Sequence, residues 1–296
     1  MATPTTPRTR QTRRPQPKRP SAAAARAAQA KRQRVRNALL LTGLVLALVA
    51  GLVIAKVSSG HKTNTAAPST QAPASVVAAV GSVPTASLAR AASATPTGLA
   101  PISGATVTKD GKPLVLYVGA EYCPFCAAER WAMVTALSKF GTFHGLGATH
   151  SSSVDVYPNT ATFSFHGATY TSPYLAFQGV ETQTNQVDGS SYGTLDTLTA
   201  TQQKLLDTYD APPYVSSSSA GSIPFILFGG KAVQSGASFS PSVLQGKTMS
   251  QIAAAMHDPG SDVAKAVNAT AGAFVQRLCS LTGNKPANVC RAFTTS

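Results

Sequence analysis

"KPLVLYVGAEYCPFC", residues 112–126, joins two patterns that together decide the fold class. Its apolar run, residues 114–118, is bounded by a proline and a glycine and predicts a strand buried on both faces of a sheet. From Pro124 onward the apolar residues recur at helical spacing. A buried strand followed by a turn and a helix is typical of an α/β domain, so we expect a central sheet with flanking helices.

Two cysteines lie at the junction of this strand and this helix. Pro124 suits the first helical turn, which puts Cys123 at the helix N-terminus and Cys126 one turn inside. The positive end of a helix dipole and its free N–H groups stabilise a thiolate, which is the form that attacks a disulfide. We therefore expect Cys123 to be an exposed nucleophile of lowered pKa and Cys126 to be the more buried, resolving cysteine.

A metal half-site and a purely structural bridge are the alternatives to a redox pair. Zinc would need a second ligand pair, but Cys279 and Cys290 are not spaced as C-x-x-C, and the five histidines show no ligand spacing. A structural Cys123–Cys126 bridge would close too small a loop to constrain the unfolded chain much. We expect no metal and favour the redox pair, and the structural bridge stays open as the mark of an inactive module.

The order strand, C-x-x-C, helix resembles the thioredoxin superfamily, and the CPFC motif is similar to glutaredoxin-type motifs. Downstream, "GSIPFILFGGKAV" and "TMSQIAAAM" resemble the proline loop, hairpin and closing helix of that superfamily. The resemblance implies that Pro224 is cis and faces the cysteines, and that Ile223, Pro224 and Tyr122 contact the substrate. A family of membrane-anchored, thioredoxin-like extracytoplasmic domains of unknown function from actinobacteria and archaea has a similar sequence. The stretches that resemble it are "LYVGAEYCPFCAAERWAMVTALSKFGTF" and "SPSVLQG".

The chain departs from a minimal thioredoxin in two ways. No acid lies in the strand at 114–118, where thioredoxins keep a buried carboxylate as a proton relay. More than eighty residues also separate the first helix from Pro224. We expect part of this region to complete the sheet and an insertion at about 141–220 to shape the substrate surface. The expected fold is α/β, with a thioredoxin-like central mixed sheet, flanking helices, this insertion and an N-terminal transmembrane helix.

The N-terminal segments predict a membrane anchor. The formal charge of +14 comes mainly from residues 1–37, which hold eleven Lys and Arg and no acid and are expected to be a disordered cytoplasmic tail. Residues 38–57 follow as a predicted transmembrane helix. Its first 18 residues carry no charge and would span roughly 27 Å as a helix, close to the thickness of the hydrocarbon core of a membrane. The positive-inside rule then puts everything after Val57, including a linker at 58–73, outside the cytoplasm. A cleaved signal peptide is the alternative, and we expect no nucleic-acid binding.

Downstream of the linker, the sequence predicts a folded domain and a C-terminal extension. We expect the thioredoxin-like domain to occupy residues 74–258 and a helical extension to occupy residues 259–296. Apolar positions in the extension predict a helix that Ser261 caps. Disulfides persist outside the cytoplasm, so we expect Cys279 and Cys290 to form a structural bridge that staples the tail to this helix, with a redox relay as the alternative.

These features together predict a membrane-anchored, extracytoplasmic thiol–disulfide oxidoreductase. Its expected substrates are extracytoplasmic proteins that carry thiols or disulfides. No diffusible cofactor is needed, but a membrane partner must recycle the cysteine pair, and a quinone-linked oxidoreductase is the natural candidate. The alternative is a thioredoxin-like binding or scaffold module at the cell surface that has lost catalytic activity.

Overall fold

The computed structural model of this protein describes residues 70–92 and 98–294. The predicted cytoplasmic tail, transmembrane helix and most of the predicted linker lie outside the described residues. Within the described ranges, no single helix is long and apolar enough to span a membrane. The helices Ala74–Ser82 and Thr85–Ala91, bent by 63° at their junction, meet that criterion of length and composition only when they are taken together.

The described residues form a mixed α/β structure with several sheets and seven α-helices. The strands are β1 Thr70–Gln71, β2 Leu99–Pro101, β3 Thr108–Lys109, β4 Lys112–Gly119, β5 Thr142–His144, β6 Gly147–His150, β7 Ala161–Ser164, β8 Thr169–Thr171, β9 Ala176–Glu181, β10 Gln183–Asp188, β11 Ser191–Thr194, β12 Phe225–Phe228 and β13 Ala232–Ser235. The helices are α1 Ala74–Ser82, α2 Thr85–Ala91, α3 Pro124–Leu137, α4 Ala200–Tyr209, α5 Met249–Ala255, α6 Ala269–Leu281 and α7 Ala287–Thr294.

Strand β4 lies inside the largest sheet and carries the two cysteines just beyond its C-terminal end. It pairs in parallel with β9 on one side and antiparallel with β12 on the other, so that Val118 lies opposite both Val180 and Phe225. Beyond β12 the sheet continues through β13 to β2, and β3 forms a hairpin with the start of β4. The cysteines therefore follow a strand that is held from both sides.

Both faces of β4 are buried, which is why its sequence is a continuous apolar run. Val115 and Tyr117 contact the larger core, which also contains residues of α3 and α6. Leu114, Leu116 and Val118 contact a second core on the opposite face, where α4 packs. The predicted strand buried on two faces is thus confirmed, and helices cover both sides of the sheet.

The region at 141–220, expected to combine sheet strands with an insertion, contains both kinds of element. Its strand β9 joins the central sheet beside β4. The strands β5 to β8, β10 and β11 form smaller sheets, and β1 pairs with β6. Because β1 is Thr70–Gln71, this end of the predicted linker is part of a sheet. Helix α4 begins at a capping box formed by Thr199 and Gln202.

The C-terminal part is helical and carries a disulfide. Ser261 accepts a hydrogen bond from the N–H of Ala264 at the start of a helical run that passes through a π-helical turn, Ala264–Asn268, into α6. Cys279 of α6 is bonded to Cys290 of α7, with 5.5 Å between their Cα atoms. The sequence patterns did not predict α7, whose eight residues begin directly after Pro286.

Candidate functional site

Helix α3 begins at the cysteine motif. Pro124 occupies its first turn, where a missing N–H leaves no hydrogen bond unmade. Cys123 is the N-cap residue, and its sulfur accepts a hydrogen bond from the backbone N–H of Cys126 at 3.2 Å. The sulfur thus takes the place that a serine or aspartate oxygen occupies in most helix caps. The predicted positions of both cysteines on this helix are confirmed.

Both cysteines are free thiols, and both are buried. Cys126 is fully covered, as expected, but Cys123 is only 4% exposed, so the prediction of an exposed nucleophile is wrong. The covering element is the loop before β12, since the carbonyl oxygen of Ile223 lies 3.9 Å from the Cys123 sulfur. The next peptide bond, Ile223–Pro224, is cis.

The two thiols differ in acidity. The hydrogen bond from the Cys126 side chain lowers the pKa of Cys123, and the N–H of Cys126 and the charge of Arg130 lower it further against the opposing effect of burial. Burial raises the pKa of Cys126 well above its ordinary value, and its hydrogen bond to Cys123 raises it further. Cys123 is therefore the sulfur that ionises first, as its position at the helix terminus predicts.

A buried ion pair, Arg130 and Glu181, lies next to the turn that carries the cysteines. Arg130 Nε donates to Glu181 Oε1 at 2.8 Å, and Nη2 donates to Oε2 at 2.7 Å. Nη2 also donates to the carbonyl oxygen of Ala120 at 2.7 Å, in the turn that leads to Cys123. Both side chains are 0% exposed. The pair joins the helix that carries the cysteines to the end of β9 by a bidentate, charge-assisted contact.

Three buried polar atoms around this pair have no hydrogen-bond partner among the described residues. They are the hydroxyl of Tyr117, Nη1 of Arg130 and Oε1 of Glu121. Tyr117 is in β4, and the guanidinium carbon of Arg130 lies 6.0 Å from the centre of its ring. Buried donors are nearly always paired, so two unpaired donors near two thiols make this a site with unused hydrogen-bonding capacity.

Helix α3 also carries a buried acid, Glu129, whose partner is Ser238 and not Arg130. It accepts hydrogen bonds from the backbone N–H and the hydroxyl of Ser238, at 2.9 and 2.7 Å. Burial raises the pKa of Glu129 to about 7, and the two hydrogen bonds from Ser238 oppose the increase. Glu129 thus ties α3 to the segment after β13 and titrates near neutral pH.

An apolar rim borders the cysteines. Phe125, which lies between them in sequence, is 38% exposed, and its ring is perpendicular to the ring of Tyr157, with 6.2 Å between the ring centres. Val154 and Val156 of the same loop are 54% and 57% exposed. The N–H of Ser152 donates to the carbonyl oxygen of Tyr122 at 2.8 Å, which attaches this loop to the cysteine turn. We call residues 151–160 the rim loop.

The family model described as a domain of unknown function, DUF929, matches residues 99–280. This chain belongs to that family. The matched DUF929 region runs from β2 into α6 and includes the cysteine pair, Arg130, Glu181 and Pro224. No curated protein and no solved structure matched the chain. The expectation of a family of unknown function is thus confirmed.

The DUF929 region brings some of the sequence-predicted site residues together. Cys123, Cys126 and Ile223 meet at the start of α3, with Pro224 directly after the contacting carbonyl and Tyr122 directly before the first cysteine. The ring of Tyr122 stacks on a tyrosine of the hairpin formed by β10 and β11, with 4.1 Å between the ring centres. The disulfide of α6 and α7 belongs to the helical C-terminal part instead.

The sequence patterns did not predict the ion pair of Arg130 and Glu181. Arg130 follows Cys126 by four positions, so the helical pattern alone puts it on the same side of α3 and could have identified it. Glu181 gave no such signal, because its contact with Arg130 depends on β9 pairing with β4 across more than fifty residues of chain. Among the described residues, no group of three or more histidine, cysteine or acidic side chains could hold a metal ion.

Proposed function

We propose that this protein is a thiol–disulfide oxidoreductase with a thioredoxin-like fold. The observation that carries the proposal is the pair of free thiols at the start of α3, of which Cys123 has a lowered pKa and Cys126 a raised one. A lowered pKa makes one thiol the attacking thiolate, and a second thiol one turn away can complete the exchange. A structural cysteine pair has no need of such a difference.

The order of elements supports the thioredoxin-like interpretation. Strand β4, the cysteine turn and α3 are followed by β9, which is parallel to β4. The chain then passes through Pro224 into the antiparallel hairpin of β12 and β13 and on to α5. The resemblance in sequence implies this same order of strand, C-x-x-C, helix, proline, hairpin and closing helix.

The proposed reaction is a reversible two-electron exchange with a protein disulfide. The Cys123 thiolate attacks one sulfur of the client disulfide, which forms a mixed disulfide and releases the other client sulfur as a thiolate that takes up a proton. Cys126 loses its proton and attacks the Cys123 sulfur, so the client leaves as a second thiolate and a Cys123–Cys126 disulfide forms. The client has gained two electrons and the protein has lost two, and the reverse sequence oxidises a client dithiol.

The surroundings of Cys123 suit a polypeptide client. The Ile223 carbonyl beside the sulfur is a backbone acceptor for an extended chain, and Tyr122 lies next to it in the turn. Phe125 offers apolar contact, as do the two exposed valines of the rim loop, which is hydrogen-bonded to the cysteine turn. Large apolar side chains that remain exposed beside a reactive group are typical of interaction sites.

We further propose that clients and enzyme meet outside the cytoplasm. The basic segment 1–37 and the apolar segment 38–57 support a single-pass anchor with its N-terminus in the cytoplasm. A membrane oxidoreductase, quinone-linked in the oxidising direction, would recycle the cysteine pair. A reporter fused after Ser296 is expected to be active only outside the cytoplasm, and activity inside it would contradict this topology.

The redox potential of the Cys123–Cys126 pair tests the proposed function. The protein with residues 1–57 removed is equilibrated with glutathione buffers. Free thiols are then alkylated, and the oxidised fraction of the cysteine pair is measured by mass spectrometry. Exchange enzymes have potentials of about −120 to −270 mV, and we expect a value in this range. A potential below about −300 mV would indicate a stable bridge in a binding module, the alternative that the burial of Cys123 favours.

A further inference from the structure

To resolve a mixed disulfide, Cys126 must become a thiolate, and its sulfur lies where water does not reach. Cys126 is fully buried, and burial raises the pKa of its thiol well above the ordinary value. A buried ion is stable only where a charge or a hydrogen-bond donor faces it. The strand before the cysteines offers no carboxylate to take the proton, since β4 holds no acid.

Arg130 supplies a fixed positive charge on the same side of α3. It lies four positions after Cys126, the spacing at which helical side chains are neighbours. Glu181 and the carbonyl of Ala120 hold Nε and Nη2, which leaves Nη1 without a partner among the described residues. The charge of Arg130 lowers the pKa of both cysteines.

Tyr117 supplies a neutral donor next to Arg130, whose guanidinium carbon lies 6.0 Å from the centre of its ring. Its ring is fully buried, and its hydroxyl fills the space that a side chain at Gly119 would need, at the end of β4 nearest the cysteines. The hydroxyl has no partner in the described part of the chain. Burial raises the pKa of Tyr117, with opposition from Arg130 and additions from Cys126, Glu181 and Cys123. The hydroxyl therefore stays protonated and keeps its donor capacity.

Resting on the proposed exchange function, we propose that Arg130 and Tyr117 stabilise the Cys126 thiolate while it resolves the mixed disulfide, and that Glu181 holds the guanidinium in place for this task. In that step Cys126 releases its proton, the thiolate attacks Cys123, and the bond between Cys123 and the client sulfur breaks, so that in sum one proton passes from Cys126 to the client sulfur. The departing client thiolate takes up a proton. A buried cation thus serves the resolving cysteine where thioredoxins use a buried acid.

The other titratable groups nearby are tyrosine and glutamate side chains, which supply no positive charge. Tyr122 interacts with both cysteines, and burial raises its pKa to about 12, so it stays neutral. Glu121 interacts with Glu181. Glu129 is bonded to Ser238 on another side of α3. The guanidinium of Arg130 is the positive charge that lowers the pKa of Cys126.

A small neutral disulfide separates the two steps in one assay. Reduced protein with residues 1–57 removed is mixed with dithiodipyridine, and the released thiopyridone is followed by absorbance over a range of pH. The first release, by Cys123, is bimolecular and depends on reagent concentration. The second release, by Cys126, is intramolecular and does not. The pH midpoint of the second phase therefore reports the acidity of Cys126.

Tyr117→Phe is the decisive variant, because it deletes only an unpaired buried hydroxyl. Such a deletion is expected to leave the free energy of unfolding equal or higher. The pH midpoint of the second phase should rise by about one pH unit, and at pH values below the midpoint this phase should be about tenfold slower. Tyr170→Phe is the matched control, since that hydroxyl donates to Leu137 at the far end of α3. The control should leave both phases unchanged.

Variants of the ion pair test the cation. Arg130→Met with Glu181→Met removes both charges, a change that stability often tolerates, and should raise the second-phase midpoint by about 1 to 3 units. Arg130→Lys retains the charge and should keep most of the wild-type second-phase rate. If the double variant does not fold, Tyr117→Phe and Arg130→Lys decide the question.

Three outcomes would overturn the inference. Tyr117→Phe with a wild-type second phase would do so, as would equal slowing of both phases or a folded double variant with an unshifted midpoint. Each of these leaves the proposed function standing, since the wild-type cysteines still exchange. Absence of any second phase in the wild-type protein would overturn the exchange function and this inference with it.

Discussion

Glu129 is a buried carboxyl group whose ionisation should make stability depend on pH. Its pKa is raised from 4.5 to about 7 in the folded protein, with burial as the main cause. Below pH 4.5 the group is protonated in both states. Between there and pH 7 only the unfolded chain releases the proton, so stability falls as pH rises, by about 3 kcal/mol in total.

Glu129→Gln tests this dependence, because a glutamine cannot ionise yet can still hydrogen-bond to Ser238. Urea unfolding of the wild-type and variant proteins should be compared at pH of about 5 and about 8. We expect the variant to lose most of the decrease that the wild-type protein shows between these values. Identical decreases in the two proteins would show that Glu129 is not the group responsible.

The rim loop is the element that we expect to select polypeptide clients. Its conformation is held by Ser151, whose hydroxyl donates to the carbonyl of Tyr157 and accepts from the N–H of Thr160. Val154 and Val156 therefore project from an internally bonded loop. Changing both to serine removes apolar contact without touching the cysteines.

The paired change Val154→Ser and Val156→Ser should weaken exchange with unfolded, disulfide-bonded proteins while it spares exchange with dithiodipyridine. Full burial of one valine is worth about 1.5 to 3 kcal/mol, so partial contact at both positions predicts a roughly tenfold rise in KM. Initial rates with the two substrates make the comparison. Equal loss on both substrates would assign the valines to the fold, and no loss on either would remove the rim loop from the client surface.

The disulfide between α6 and α7 is a second element whose role can be separated from catalysis. Cys279 and Cys290 lie outside the cysteine turn and close a short loop. Replacing both with alanine should lower the free energy of unfolding by about 2 to 4 kcal/mol and leave exchange intact below the unfolding temperature. Calorimetry and the dithiodipyridine assay measure the two effects. Lost exchange with unchanged stability would make this disulfide a redox relay.

Over the whole molecule, the sequence predicted well those features that depend on a few neighbouring residues. The apolar run of β4, the proline in the first turn of α3 and the capping position of Cys123 each depend on a few adjacent residues. The position of Ile223 beside Cys123 came instead from resemblance, because a contact across a hundred residues leaves no periodic signal. Sequence and resemblance together thus predicted the elements that carry the cysteine pair.

What could not be predicted depends on long-range packing. The exposure of Cys123 was predicted wrongly, because a helix N-terminus indicates where a sulfur lies but not which loop covers it. The partner of Arg130 is Glu181, at the end of a strand in the region where we expected an insertion. Strand β4 holds no acid, and the buried charges near the cysteine turn are an arginine of α3 and a glutamate of β9.

Trapping of clients tests the central claim, which is turnover through two unequal cysteines. Cys126→Ala removes the resolving thiol and leaves the nucleophile of lowered pKa, so mixed disulfides with clients should accumulate on this variant. They are seen as reductant-sensitive bands on a non-reducing gel. Cys123→Ala should trap nothing, because the remaining thiol is fully buried and its pKa is raised. Equal trapping by both variants, or none by either in folded and exported protein, would contradict the account.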